Sequence, residues 1–155
     1  MNCNKTNTGY RLPDKDEWFY YASDTGFYGS ESYPYTGGKQ VGDVAWYVGN
    51  SGSNYHIVGG KLSSNNSMYD ACGNVSELCH YSDTLVYKYS DKIQYPSTNY
   101  HGYAMYVCGG DNTQNADKVK LSSYSSIDNR QKNYDTNPDD FGRNPDVGFR
   151  VMRRM

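Results

Sequence analysis

The chain has 155 residues, 36% of them apolar, a mean hydropathy of −0.91 and a formal net charge of −2. That length suits one domain with its own core. The charge excludes phosphate-dominated binding of nucleic acid, no apolar run is long enough for a membrane span, and the abundance of tyrosine (18, against 4 Phe and 2 Trp) excludes a disordered chain.

The first expected element is a helix. Asp14 follows Pro13 as a natural N-cap, and Glu17 three residues later completes a capping box. Trp18, Tyr21 and Ala22 then share a face at helical spacing, and Asp24-Thr25-Gly26 closes the helix with Gly26 as a left-handed cap. A glycine-rich stretch of turns follows, to residue 43. Val44–Val48 reads as a short strand stopped by Gly49-Asn50-Ser51-Gly52, and His56–Val58 reads as another. Met68-Tyr69-Asp70 leads to a turn at Gly73-Asn74, and Val75–His80 resumes an extended run. Residues 81–101 form a polar connection without a period. Tyr103–Cys108 alternates as a strand and stops at Gly109-Gly110. Asn137-Pro138-Asp139-Asp140 is a turn, and Val147–Met152 is the last strand. Short strands, one helix and much ordered loop give a single α+β domain over residues 1–155.

Reactive side chains are few. Cys3, Cys72, Cys79 and Cys108 match no zinc spacing and read as small buried hydrophobes; a Cys79–Cys108 bridge stays open. His56, His80 and His101, with Asp139 and Asp140, are the acid/base groups, but no pair has diagnostic spacing. There is no nucleophile elbow, P-loop or dinucleotide fingerprint. The first residues lack the apolar segment of a secretory signal, so the cytoplasm is the default compartment.

Four motifs occur in order: Gly-Tyr-Arg-Leu-Pro at 9–13, Val-Ala-Trp-Tyr at 44–47, Met-Tyr-Asp-Ala-Cys-Gly-Asn-Val-Ser-Glu at 68–77 and Gly-Phe-Arg-Val at 148–151. Together they resemble the formylglycine-generating-enzyme (sulfatase-modifying factor) domain, a branch of the C-type-lectin-like folds. The resemblance implies a loop-rich C-type-lectin-like domain in which Tyr10 to Pro13 and Trp18 open the helix that packs on the sheet. It also implies a structural calcium at Asp70 and Glu77 (side chains) and Gly73 and Val75 (carbonyls), a set of oxygens suited to a hard cation. Catalytic members hold copper on two cysteines. Gln114 and Val119 stand at those positions here, and Asp111 replaces a serine, so neither copper nor formylglycine chemistry is expected. The family domain normally carries a further segment before Tyr-Arg-Leu-Pro. A reduced fold would leave apolar surface that an oligomer could hide.

These residues point to a non-catalytic module that binds a protein, small-molecule or carbohydrate ligand. Residues 109–147 hold 6 Asn, 7 Asp, 4 Ser and 2 Tyr, together 19 of 39, which suits adaptable hydrogen bonding around rigid rings. The variable proteins of diversity-generating retroelements resemble this domain and randomise residues ahead of the terminal Gly-Phe-Arg. The resemblance then gives Asp111, Asn112, Gln114, Asn115, Tyr124, Asn129, Arg130, Lys132, Tyr134 and Asp135 as the ligand-binding positions. The alternatives are an enzyme of the sulfatase-modifying type and a degenerate, inactive relative. Arg150 is expected to anchor the last strand through a carboxylate or carbonyls.

Overall fold

The computed structural model describes residues 9–24, 33–80, 104–128 and 145–153. Within them the elements run β1 (Tyr10–Arg11), α1 (Lys15–Ala22), α2 (Val41–Val44), β2 (Ser76–His80), β3 (Ala104–Cys108), β4 (Tyr124–Asp128), β5 (Val147–Phe149) and β6 (Met152–Arg153).

The capping box forms as the sequence predicts. Asp14 accepts the Glu17 N–H at 2.8 Å, and the Glu17 carboxylate accepts the Asp14 N–H at 2.9 Å. Arg11 adds two 2.6 Å bonds to the same carboxylate, so the motif that opens the helix also ties β1 to it. The C-terminus differs from expectation. The helix stops at Ala22, and Ser23 is extended (φ −87°, ψ 143°) with its N–H on the Phe19 carbonyl. The expected cap, Gly26, lies outside the described residues. The buried face is Trp18, Phe19 and Ala22, while Tyr21 stands exposed. In so short a helix, positions i, i+1 and i+4 meet the sheet, and Tyr21 falls beside them.

The main sheet has the order β4-β3-β2-β5, antiparallel except for the β2/β5 pair, and β1 pairs with β6 in a separate two-stranded ribbon. Cys108 faces Glu77 across β2/β3, and Cys79 faces Tyr106. Alternation therefore puts Glu77, Cys79, Tyr106 and Cys108 on one side, beneath α1. Trp18, Phe19, Ala22, Cys79 and Cys108 form the core there with Val44, Ala45, Cys72, Val119 and Leu121.

Several expected strands are absent or altered. Residues 41–44 turn helically, and 44–48 is no strand; Val44 and Ala45 are buried in succession, which alternation cannot produce. Trp46 keeps a single bridge, to Gly73. His56–Val58 forms no strand either. The Asn74 amide pairs with the backbone of His56 instead, accepting its N–H at 2.9 Å and donating to its carbonyl at 3.0 Å. The final strand is broken in two, because Arg150 and Val151 carry the chain from the main sheet to the ribbon. Conversely, β4 lies where the sequence suggested only a polar excursion.

Gly73 sits where these parts converge. Its φ is +73°, its N–H donates to the Gly109 carbonyl at 2.9 Å, and a Cβ there would lie 2.2 Å from the Trp46 carbonyl oxygen. No other residue fits that approach. Asn74 follows with φ 62°, donating its own N–H to Trp46 and accepting from the Asn112 N–H.

The closing strands are held by Arg150. Its Nη2 meets Glu77 Oε1 at 2.6 Å and the Tyr69 carbonyl at 2.9 Å, and its Nε lies 3.1 Å from both Glu77 oxygens. Trp18 Nε1 donates to Glu77 Oε2 at 2.8 Å, so helix, sheet and closing segment meet on one buried carboxylate. Burial alone would lower the Arg150 pKa, but the hydrogen bonds and charge of Glu77, with the charge of Asp70, outweigh it and hold the guanidinium above its ordinary value. The anchoring role expected for Arg150 is the observed one.

Two outcomes are expected. Arg150→Leu leaves Glu77 buried beside a lone indole donor and should cost roughly 3 kcal/mol in denaturant unfolding, whereas Glu77→Gln combined with Arg150→Leu should cost less, since no bare charge remains. For Glu17, burial acts upward, but the Arg11 and Asp14 hydrogen bonds prevail and depress its pKa. Its stabilisation is then complete above the ordinary carboxylate value of about 4.3 and fades as pH falls through the lower folded value. Glu17→Gln should flatten that acid limb in a pH series of thermal melts.

Candidate binding face

The polar excursion begins by packing inward. After the Gly109-Gly110 turn, Asp111 and Asn112 are buried, Asn112 to 1% exposure, although the sequence placed both on the binding face. Asp111 Oδ1 accepts the Thr113 N–H at 2.9 Å and its hydroxyl at 2.6 Å, holding a tight turn. The Asn112 carbonyl accepts the Ser51 hydroxyl at 2.7 Å, and its N–H donates to Asn74. Asn112 therefore fastens this loop to the Gly73-Asn74 turn, while Asp111 shapes the loop from within. Gln114 is half-buried, and its carbonyl accepts the Val48 N–H. Asn115 is exposed. Val119, at the second thiolate position of the catalytic relatives, is fully buried in the core, and Leu121 is buried beside it.

The chain then turns outward along β4. Tyr124 is 55% exposed, and Ser125 and Ser126 are exposed after it. The Tyr124 ring is fixed from two directions. Tyr106 meets it edge-on at 5.5 Å between centroids, because β3 and β4 are paired with Cys108 opposite Tyr124. Lys15, in the first turn of α1, places its ammonium 4.2 Å from the ring centre. Lys15 and Tyr106 were not among the sequence candidates, and no spacing rule joins residues 15, 106 and 124; only the strand pairing does. Asn129, Arg130, Lys132, Tyr134 and Asp135 lie outside the described residues.

The second candidate site is the 70–77 turn. Of the four positions given to calcium, the two carboxylates differ. Glu77 accepts from Arg150 and Trp18, and a cation there would have to displace a guanidinium already in place. Glu77 as placed does not fit that role. Asp70, left-handed at φ 54° and buried, accepts the Gly59 N–H on Oδ2 at 2.6 Å, while its buried Oδ1 has no hydrogen-bond partner among the described residues. That atom fits a cation. A cleft of about 500 Å³ opens beside the turn, lined by Asp70, Glu77 and Arg150 with Val58, Tyr69 and Phe149.

Cys72, Cys79 and Cys108 are free and buried, and Cys3 lies outside the described residues. Burial pushes the Cys72 thiol up to about 11 against the opposing bonds from Thr36. The hydrogen bond with Cys108, then burial, drive Cys79 upward as well. A thiol held protonated is a weak nucleophile. His56 stacks on Trp46 at 3.7 Å between ring centres, with its Nε2 on the Ser51 carbonyl, as befits a structural residue. His101 lies outside the described residues. Among those described, no three His, Cys, Asp or Glu residues cluster to hold a metal, and no helix is long and apolar enough to cross a membrane.

The family model of the sulfatase-modifying factor enzyme 1-like domain matches residues 2–155. The chaperone protein LppX of Paenibacillus barcinonensis is 27% identical over 170 residues, which span 99% of this chain and 52% of that protein. Among solved structures, Treponema denticola variable protein 1 superposes with a TM-score of 0.64 at 26% identity, covering 93% of this chain and 47% of its own. CarF superposes with a TM-score of 0.63 at 23% identity, over 98% of this chain and 49% of its own, a likeness of fold alone. The chain thus spans about half the length of the relatives it matches. The chain belongs to the sulfatase-modifying factor enzyme 1-like family, with its C-type-lectin-like fold.

Proposed function

We propose that this domain is a non-catalytic binding module whose recognition surface is built on β4 and the residues that follow it. One observation carries the reading: β4 presents Tyr124, Ser125 and Ser126 to solvent, with the tyrosine ring held by Tyr106 and Lys15. An aromatic immobilised before binding loses little entropy on contact, and neighbouring hydroxyls supply adaptable hydrogen bonds. Asn115 and Tyr124 remain candidate contacts. Asp111 and Asn112 act from beneath by holding the loop in place, and half-buried Gln114 contributes at its margin. The ligand is a protein, a small molecule or a carbohydrate, and the likeness to a variable protein and to a protein named as a chaperone supports such a role. A diversified retroelement protein is the specific form in which Asn129, Arg130, Lys132, Tyr134 and Asp135 would vary as well.

The alternative is oxidative chemistry on a cysteine-bearing peptide. It meets an obstacle in the two side chains at the thiolate positions, the Gln114 amide and the Val119 isopropyl, neither of which ligates copper. Copper-loaded protein incubated with a sulfatase-type peptide should yield no aldehyde by mass spectrometry; turnover would overturn the binding reading.

A cation at the 70–77 turn is a second element of the proposal, favoured by the unpaired Asp70 oxygen. Calcium would be held by Asp70 and the carbonyls of Gly73 and Val75, with Glu77 remaining on Arg150. It would neutralise the buried carboxylate and brace the turn.

Two measurements follow. In an array of immobilised glycans and proteins, any ligand retained should be lost with Tyr124→Ala, by about 2 kcal/mol, while the thermal midpoint stays nearly fixed. A large drop in the midpoint would mark Tyr124 as structural. A chelator should lower the midpoint of the wild type and leave Asp70→Asn unaffected; equal midpoints with and without chelator would remove the cation.

A further inference from the structure

A second cleft, of about 420 Å³, lies between α1 and the segment Arg150–Arg153. Its apolar walls are Trp18 and Tyr21 from the helix, Met68 from the segment ahead of the motif turn, and Met152 from β6. Trp18 is buried with its indole N–H already on Glu77, so it offers the cleft only carbon. Tyr21, which helical spacing assigns to the core, stands 43% exposed and borders this cleft instead. Met68 and Met152 are half-buried, unbranched thioethers, which adapt to the shape of a guest and make favourable contacts with aromatic rings.

The charged side chains bordering this cleft are Arg150 and Arg153, and no carboxylate lines it. The cleft beside the 70–77 turn differs in carrying Asp70 and Glu77. Arg150 spends Nε and Nη2 on Glu77 and the Tyr69 carbonyl, while its Nη1 makes no hydrogen bond among the described residues. Arg153 is exposed and pairs with Tyr10 in the β1/β6 ribbon. Its guanidinium carbon lies 6.0 Å from the centre of the Tyr10 ring, and it makes no ion pair among the described residues. A guanidinium without a carboxylate, set beside an apolar cleft, selects a planar anion. Its fork matches the two oxygens of a carboxylate, and the apolar walls shed the water that would screen the pair.

We propose that this cleft binds a small aromatic carboxylate. The ring of the ligand sits among Trp18, Tyr21 and the two methionines, and its carboxylate takes Arg153 as the main partner, with Arg150 Nη1 as a further donor. The volume is that of a small-molecule site. The cleft shares no residue with Lys15, Tyr106 and Tyr124, so this binding function is separate from the β4 recognition surface.

The test is titration calorimetry of the intact chain with naphthalene-2-carboxylate as the probe. The neutral isostere naphthalene-2-methanol and the cationic naphthalen-2-ylmethylamine should each bind at least about ten-fold more weakly. Arg153→Gln should reduce the carboxylate to the affinity of the alcohol while leaving the alcohol itself and the thermal midpoint unchanged, because this side chain is exposed and makes no ion pair among the described residues. Tyr21→Ser should weaken carboxylate and alcohol together, by about ten-fold, through loss of a wall. No binding of the carboxylate at millimolar concentration would overturn the proposal, as would equal affinity for carboxylate, alcohol and amine. Decanoate binding more tightly than the naphthalene acid would overturn it too, since the ring would not be what is recognised. So would an Arg153→Gln protein that binds like the wild type. Tyr124→Ala should leave the titration unchanged; if it abolished binding, the probe would lie on β4 and the proposal would fail. Failure of the probe to bind leaves the β4 surface untouched, so the two readings fail separately.

Discussion

A single buried carboxylate organises the molecule. Glu77 lies in the middle of the sheet, under α1, where an unpaired charge would be costly. Trp18 reaches it from the helix and Arg150 from the closing segment, and each is placed by its own local rule. Trp18 is set by the capping box at Asp14 and Glu17, which fixes where the helix begins. Arg150 is set by the parallel pairing of β5 on β2, which brings Gly148 opposite Glu77. Because Arg150 also donates to the Tyr69 carbonyl, the same contact ties the strand end to the segment that enters the motif turn. Removing the carboxylate would take away the one group on which helix, sheet and closing segment all hydrogen-bond.

Around that centre the turn at Gly73-Asn74 takes the place of strands. A positive φ at Gly73 lets the backbone approach Trp46, and Asn74 supplies the hydrogen bonds that a neighbouring strand would have given His56. The loop beginning at Gly109 is bound to the same turn through Gly73 and Asn112. Among the described residues, side-chain amides and glycines thus join segments that no strand pairing holds, and in this way a chain so poor in apolar residues brings its core together.

The legibility of the sequence follows from the range of each interaction. The capping box, the start of β2 and the end of β3 at Gly109-Gly110 depend on residues a few positions apart, and each was readable. The helix end, the helical turn at Val41–Val44 and the break between β5 and β6 depend on distant partners: Val44 and Ala45 are drawn into the core as a pair, and Arg150 leaves the sheet to meet Glu77. β4 was hidden because Tyr124 to Ser126 carry the polar composition of a loop. The motifs placed the family correctly, yet composition alone could not separate Asp111 and Asn112, which face inward, from Asn115 and Tyr124, which face outward. Lys15 and Tyr106 belong to that face only through the β3/β4 register and the position of α1 above it.

The burial of Val119 has a chemical corollary. The position that the resemblance sets against a metal-binding sulfur of the catalytic members is part of the packed interior here. A thiol introduced there would enter the same dry surroundings that keep Cys72 protonated. Ligating a metal there would therefore require more than one codon change: the loop carrying Val119 would also have to lift away from the core it completes.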